Sequence, residues 1–174
     1  MTKKQKTISY VVFGLYLFLL TWLILFKFRG NWFNIHHARV INLIPYKGAF
    51  DGSIYIGMKE ILYNILVFVP FGVYISMLIQ KEKLPLKVIP CFLLSLFFEV
   101  TQFIFAIGAT DISDILDNTL GGVCGILLFV VIQKLMPKKY ALVINIIGIV
   151  IEVIGFSLIA LMFFDRWVYR VYFI

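Results

Sequence analysis

The sequence predicts an all-α protein: a polytopic membrane helical bundle of about five transmembrane helices, with the N-terminus inside and the C-terminus outside. Three observations carry this expectation. Hydrophobic residues make up 62% of the 174-residue chain and charged residues only 14%, with a mean hydropathy of +1.00; that is too little polar material to cover a water-soluble globule of this size. The apolar residues fall in runs near residues 8–28, 61–79, 86–107, 117–135 and 142–164, each close to the ~20 residues that cross a hydrocarbon core. The cations are shared unequally between alternate connections, as membrane topology requires.

The first run follows Lys3, Lys4 and Lys6 but is too long for a signal-peptide core of roughly 7–15 residues. It continues through Trp22 and Phe26 into Lys27 and Arg29 with no small-residue cleavage site, so an uncleaved first span is expected. Residues 29–60 form the one long connection. Trp32, Phe33, Leu43, Ile44, Tyr46, Phe50 and Tyr55 are interleaved there with charges, a pattern that suits a segment lying along the membrane surface or dipping into it.

In the second span, Asn64 lies near one end, and Pro70 and Gly72 interrupt the middle. Proline there frees backbone groups and permits a kink. In the third span Glu99 sits about thirteen residues in, roughly 20 Å deep at 1.5 Å per residue. Ser95 precedes it at i−4 and Gln102 follows at i+3, so the three make one polar stripe. A carboxyl group facing acyl chains costs about 2.5–3.5 kcal/mol on insertion scales, and the stripe is therefore expected to face the bundle interior or a wet cavity.

The turn from Gly108 to Asn118 carries Asp111, Asp114 and Asp117 at a spacing of three. If the fourth helix begins near Asp111, these carboxylates and Asn118 share a face of its first two turns, with Asp111 a natural N-cap. No cofactor is expected; a divalent cation on Asp111, Asp114 and Asp117 is a weak alternative, since hard oxygen ligands suit Ca²⁺ or Mg²⁺ but no EF-hand pattern is present. Gly121 and Gly125 form a GxxxG face that lets another helix backbone approach. Cys91 and Cys124 lie within apolar runs without CxxC spacing and read as small packing residues. Glu152 is a lone acid near the middle of the fifth span, either paired with another helix or protonated.

With the N-terminus inside, the inner segments hold Lys3, Lys4, Lys6, Lys81, Lys83, Lys87, Lys134, Lys138 and Lys139 against Glu82. The opposite side carries Lys27, Arg29, Arg39, Lys47, Lys59, Arg166 and Arg170 against Asp51, Glu60, Asp111, Asp114, Asp117 and Asp165. This excess of inner cations sets the predicted orientation. It also accounts for the net charge of +7 without a nucleic-acid partner. The C-terminal Trp167, Tyr169, Tyr172 and Phe173 then read as an interfacial anchor. Short linkers between the middle spans leave no room for a second soluble domain, so one transmembrane domain is expected over 1–174.

Several separated motifs, in order, resemble the VanZ-like family of bacterial membrane proteins. Asn42-Leu43-Ile44-Pro45-Tyr46 is similar to the family's external Asn-Leu-Ile-Pro-aromatic segment, and Asn64, Phe68, Pro70 and Gly72 to its Asn-x-x-x-Phe-x-Pro-x-Gly span. Glu99-Val100-Thr101-Gln102 is similar to its Glu-x-x-Gln, and Thr110–Gly122 to its Asp-rich turn running into Asn-Thr-Leu-Gly. Many members carry an Arg shortly before the Asp run; here residues 105–110 read Phe-Ala-Ile-Gly-Ala-Thr, so no Arg-dependent anion contact is carried over. The resemblance implies a multi-pass protein of the bacterial cytoplasmic membrane, in a family named for low-level resistance to teicoplanin and related lipoglycopeptides.

The leading expectation is a non-enzymatic envelope protein. Its outward-facing polar cluster of Asn42, Tyr46, Asn64, Glu99, Gln102, Asp111, Asp114, Asp117 and Asn118 would bind an amphiphile, either a lipid-linked cell-wall component or a lipoglycopeptide. Membrane lipids are the other expected partners, with a homo-oligomer left open. The alternatives are an intramembrane enzyme acting on a lipid head group, which lacks any HExxH, GxSxG or phosphate-loop signature, and a proton-coupled lipid carrier using Glu99 and Glu152.

Overall fold

The computed structural model describes residues 1–26, 41–47, 54–107 and 109–173, with residues 26 and 166–173 described by their backbone alone. Five helices in these residues are long and apolar enough to cross a membrane: α1 (Lys3–Phe26), α2 (Ile54–Leu78), α3 (Leu84–Phe105), α4 (Ile112–Leu135) and α5 (Tyr140–Phe173). Two short strands, β1 (Ile41–Asn42) and β2 (Thr110–Asp111), pair in parallel, Ile41 opposite Thr110 and Asn42 opposite Asp111. Arg29, Arg39, Trp32, Phe33 and Phe50 of the long connection, and the side chains of the C-terminal aromatic group, lie outside the described residues.

Several helices begin before the apolar runs do. α2 starts at Ile54 rather than near 61, and α4 at Ile112 rather than near 117. The added turns hold Lys59 and Glu60 in one case and Asp114 in the other. Such residues lower hydropathy without opposing helical hydrogen bonding, so an apolar window underestimates the helix. α4 has the predicted start: Asp111 is the N-cap, its side chain accepting from the Ser113 N–H at 2.8 Å. α3 begins with Pro85 in its first turn and ends at Ala106 in the left-handed region at φ 53°, and this reversal sends the chain into β2.

α2 and α4 form the centre of the bundle. Of their membrane-spanning windows 44% and 39% is buried, against 11% for α5. The contact is backbone on backbone. A Cβ on Gly72 would collide with the Gly122 carbonyl, one on Gly121 with the Ile65 carbonyl, and one on Gly125 with the Val69 carbonyl. The expected GxxxG approach is therefore made, with α2 as the partner. Cys91 is fully buried against Gly122, whereas Cys124 is exposed on the outer face of α4, so only Cys91 packs inside as the sequence suggested.

α2 runs through Pro70 as one helix. Proline withholds an N–H from the preceding turn, and in that stretch the buried Tyr16 of α1 donates its hydroxyl to the Val67 carbonyl at 2.6 Å. The apolar interior has two parts. One groups Val12, Tyr74, Met77, Phe129 and Ile144; the other groups Leu20, Ile24, Phe68, Phe98 and Ile126 around Cys91. Outward faces carry exposed Leu, Ile, Val and Phe along most of the helices, as a chain solvated by lipid requires.

Candidate functional site

Asp111 joins three segments at one end of the bundle. Its backbone N–H donates to Glu99 Oε2 at 2.9 Å, its Oδ1 accepts the capping bond from Ser113, and its Oδ2 accepts from Asn42 Nδ2 at 2.9 Å. Thr110 adds a hydroxyl bond to the Glu99 backbone carbonyl at 3.2 Å. The chain leaving α3 thus folds back over Glu99, and the strand pairing brings residues 41–42 alongside.

Residues 43–47 continue this cover. Tyr46 adopts φ 58°, a left-handed conformation uncommon for a residue with a bulky side chain. It is held from both ends: its N–H donates to Ser113 Oγ at 2.8 Å and its hydroxyl to Asp117 Oδ1 at 2.9 Å. Partial desolvation, followed by that bond and the carboxylates of Asp117 and Asp111, raises the Tyr46 phenol above its ordinary value. Asn64, buried at the α2 face, donates to Asp114 Oδ1 at 2.7 Å.

The three aspartates therefore have three different donors: Asn42 for Asp111, Asn64 for Asp114 and Tyr46 for Asp117. Their bonds fan out toward the 41–47 segment and α2. Among the described residues, no three His, Cys, Asp or Glu side chains are grouped to hold a metal ion. Beside these bonds lies a cavity of about 200 Å³, lined among others by Tyr46, Lys47, Glu60, Asn64, Asp114 and Asp117. Among the described residues that line it, four carboxylates face one lysine, so it favours hydrogen-bond donors and positive charge.

Behind the cavity is a buried layer. Ser95, Glu99 and Gln102 are each at most 2% exposed, so the predicted stripe faces inward. Glu99 is engaged by the Asp111 backbone. Gln102 turns the other way and donates to the Ile24 carbonyl of α1 at 3.1 Å, while Asn118 donates to Ser95 Oγ of α3 at 3.0 Å. Seven of the nine residues singled out in the sequence thus lie together at this end of the bundle, in one bonded set built on Asp111 and Tyr46 and in the Asn64–Asp114 pair, with Glu99 at the base. Gln102 and Asn118 are ties between helices beneath it, each with a buried oxygen that meets no donor among the described residues.

Three contributors escaped sequence reasoning: Ser113, Lys47 and Glu60. For Glu60 there was a signal. Gly57, Glu60, Ile61 and Asn64 are spaced i, i+3, i+4 and i+7, one helical face that becomes visible once α2 is extended back to Ile54; Gly57 on that face is buried and lines the cavity.

Residues 13–133 match the family model described as VanZ/LLP1. The chain is 37% identical over 152 residues to Protein VanZ of Enterococcus faecium, an alignment that covers 86% of this chain and 91% of the relative. No solved structure matches the chain.

Proposed function

The chain belongs to the VanZ/LLP1 family and is a multi-pass membrane protein, and from that premise we propose that its bundle-end polar cluster binds the head of an amphiphile at the outer face of the bacterial cytoplasmic membrane. The proposed ligand is a lipid-linked cell-wall component or a lipoglycopeptide, and its binding contributes to lipoglycopeptide resistance. The orientation belongs to the proposal: the lysine-rich ends of α1, α2, α3, α4 and α5 are inside by the positive-inside rule, and the cluster is outside.

One observation carries the reading. Side chains from residues 46–47, α2 and the start of α4 line an acceptor-rich cavity, with Asn42 and Glu99 of α3 holding Asp111 at its edge, and exposed Leu43, Ile44, Ile54 and Tyr55 stand in the same segments. A polar recess beside apolar surface at the membrane boundary suits a ligand whose head donates hydrogen bonds and whose tail enters the bilayer.

Susceptibility of cells provides the test. Glu99→Gln and Asp114→Asn keep the shape and one acceptor oxygen each while removing the charge and replacing the other oxygen with an NH2 donor. Expressed at wild-type level, both are expected to lose most of the change in teicoplanin susceptibility that the wild-type protein confers. Full retention by both variants would refute the proposed role of the cluster.

A further inference from the structure

Glu152 stands about twelve residues, roughly 18 Å, from the start of the Tyr140–Asp165 span, near the middle of the membrane from either side. It is 5% exposed, and its Oε1 meets no hydrogen-bond donor among the described residues. Its side chain forms part of the wall of a groove between α1 and α5 of about 670 Å³, a volume in the range of small-molecule sites. The rest of the wall is mostly apolar, with Val11, Val12, Leu15, Ile149 and Val153, and carries the hydroxyls of Thr7 and Ser157. Because α5 is the least buried helix and the groove lies at mid-span, it is reached from the hydrocarbon.

Of the two hydroxyls that line the groove, Thr7 donates within its own helix to the Lys3 carbonyl, and Ser157 lies just over one turn beyond Glu152 on α5, neither reaching Glu152 Oε1. Asn145 of α5 donates to Ser9 of α1 at 3.0 Å, its own Oδ1 meeting no donor among the described residues, and Tyr74 donates to the Ile144 carbonyl at 3.4 Å. Neither supplies Glu152. A buried carboxyl without a donor is unfavourable, and here it borders a space large enough to admit one.

We propose that the α1/α5 groove binds a long-chain alcohol that enters from the bilayer, its hydroxyl donating to Glu152 and its chain lying against the apolar wall. A phosphorylated chain would bring an anion beside a carboxyl group at mid-membrane, and an amine would carry its charge there. A hydroxyl does neither. The site is separate from the bundle-end cluster, and the family match ends at residue 133, before α5 begins.

Photolabelling of the full chain in lipid nanodiscs tests this. The probe is a diazirine-bearing long-chain primary alcohol, compared with the same chain ending in methyl, amine or phosphate, and labelled peptides are mapped by mass spectrometry. Saturable labelling of the α1 and α5 groove peptides by the alcohol is expected, about tenfold weaker for the methyl chain. Glu152→Leu is expected to lose it and Glu152→Gln, which keeps an acceptor oxygen, to retain most of it. Equal labelling by alcohol and methyl chains would overturn the proposal, as would preference for amine or phosphate or undiminished labelling of a folded Glu152→Leu protein. The comparison of chains on the unmutated protein decides the matter even where a variant fails to fold.

Discussion

The hydroxyl of Tyr46 donates to Asp117 Oδ1 at 2.9 Å, joining residues 71 positions apart in sequence. With the Tyr46 N–H on Ser113, this bond holds the 41–47 segment over the first turns of α4. It sets one wall of the polar cavity.

Tyr46→Phe keeps the ring and removes the donor from a buried carboxyl. Loss of one partner from a buried acceptor costs about 1–3 kcal/mol, and a fall of that order in unfolding free energy is expected in micelles. Denaturant unfolding of wild type and variant under identical conditions measures it; indistinguishable curves would show that the bond contributes nothing.

The same bond has a pH signature. The Tyr46 phenol is raised in the folded state, so the folded protein holds that proton more tightly than the unfolded chain does. Its stabilisation is complete below the ordinary phenol value of about 10 and declines as pH rises from there through the raised folded value. The stability gap between wild type and Tyr46→Phe should be flat through neutral pH and narrow as pH rises into alkali. A gap that narrows between pH 6 and 8 would assign the effect to another group.

At the bundle centre, Gly72→Ala places a methyl group against the Gly122 carbonyl. Backbone cannot yield as a side chain can, and overpacking of this kind costs about 1–3 kcal/mol or more. Gly14 is the control. A Cβ there meets nothing within 4 Å, and replacing a helical glycine with alanine is expected to stabilise by about 0.5–1 kcal/mol. Thermal unfolding of the two variants should shift in opposite directions.

Orientation is open to direct labelling. With the native cysteines replaced by serine, a cysteine at Lys47 should react with a membrane-impermeant maleimide in intact cells. One at Lys138 should react only after lysis. The reverse pattern would invert the proposed topology and place the polar cluster inside.

The spans and the inward face of α3 were legible because each rests on a local rule. A run of apolar residues reports its solvent, and Ser95, Glu99 and Gln102 share a face by helical spacing alone. The cap at Asp111 was legible for the same reason. The cover over the site was not. The Asn42–Asp111 and Tyr46–Asp117 bonds join distant segments, and a tyrosine gives no sign in sequence that it will occupy a left-handed position usually left to Gly or Asn. The family motifs named Asn42 and Tyr46, but only the fold supplies their partners. Hydropathy also hid the first turns of α2 and α4, where Glu60 and Asp114, which depress it, line the cavity.

The most direct measurement is equilibrium binding to the purified protein in nanodiscs, with labelled teicoplanin and a labelled lipid-linked cell-wall precursor as probes. Wild type should bind at least one of them saturably, and Asp114→Asn should weaken that binding about tenfold, or about 1.4 kcal/mol, with the fold intact. Binding of neither probe by wild type, or equal binding by wild type and Asp114→Asn, would contradict the assignment of the cluster as an amphiphile site.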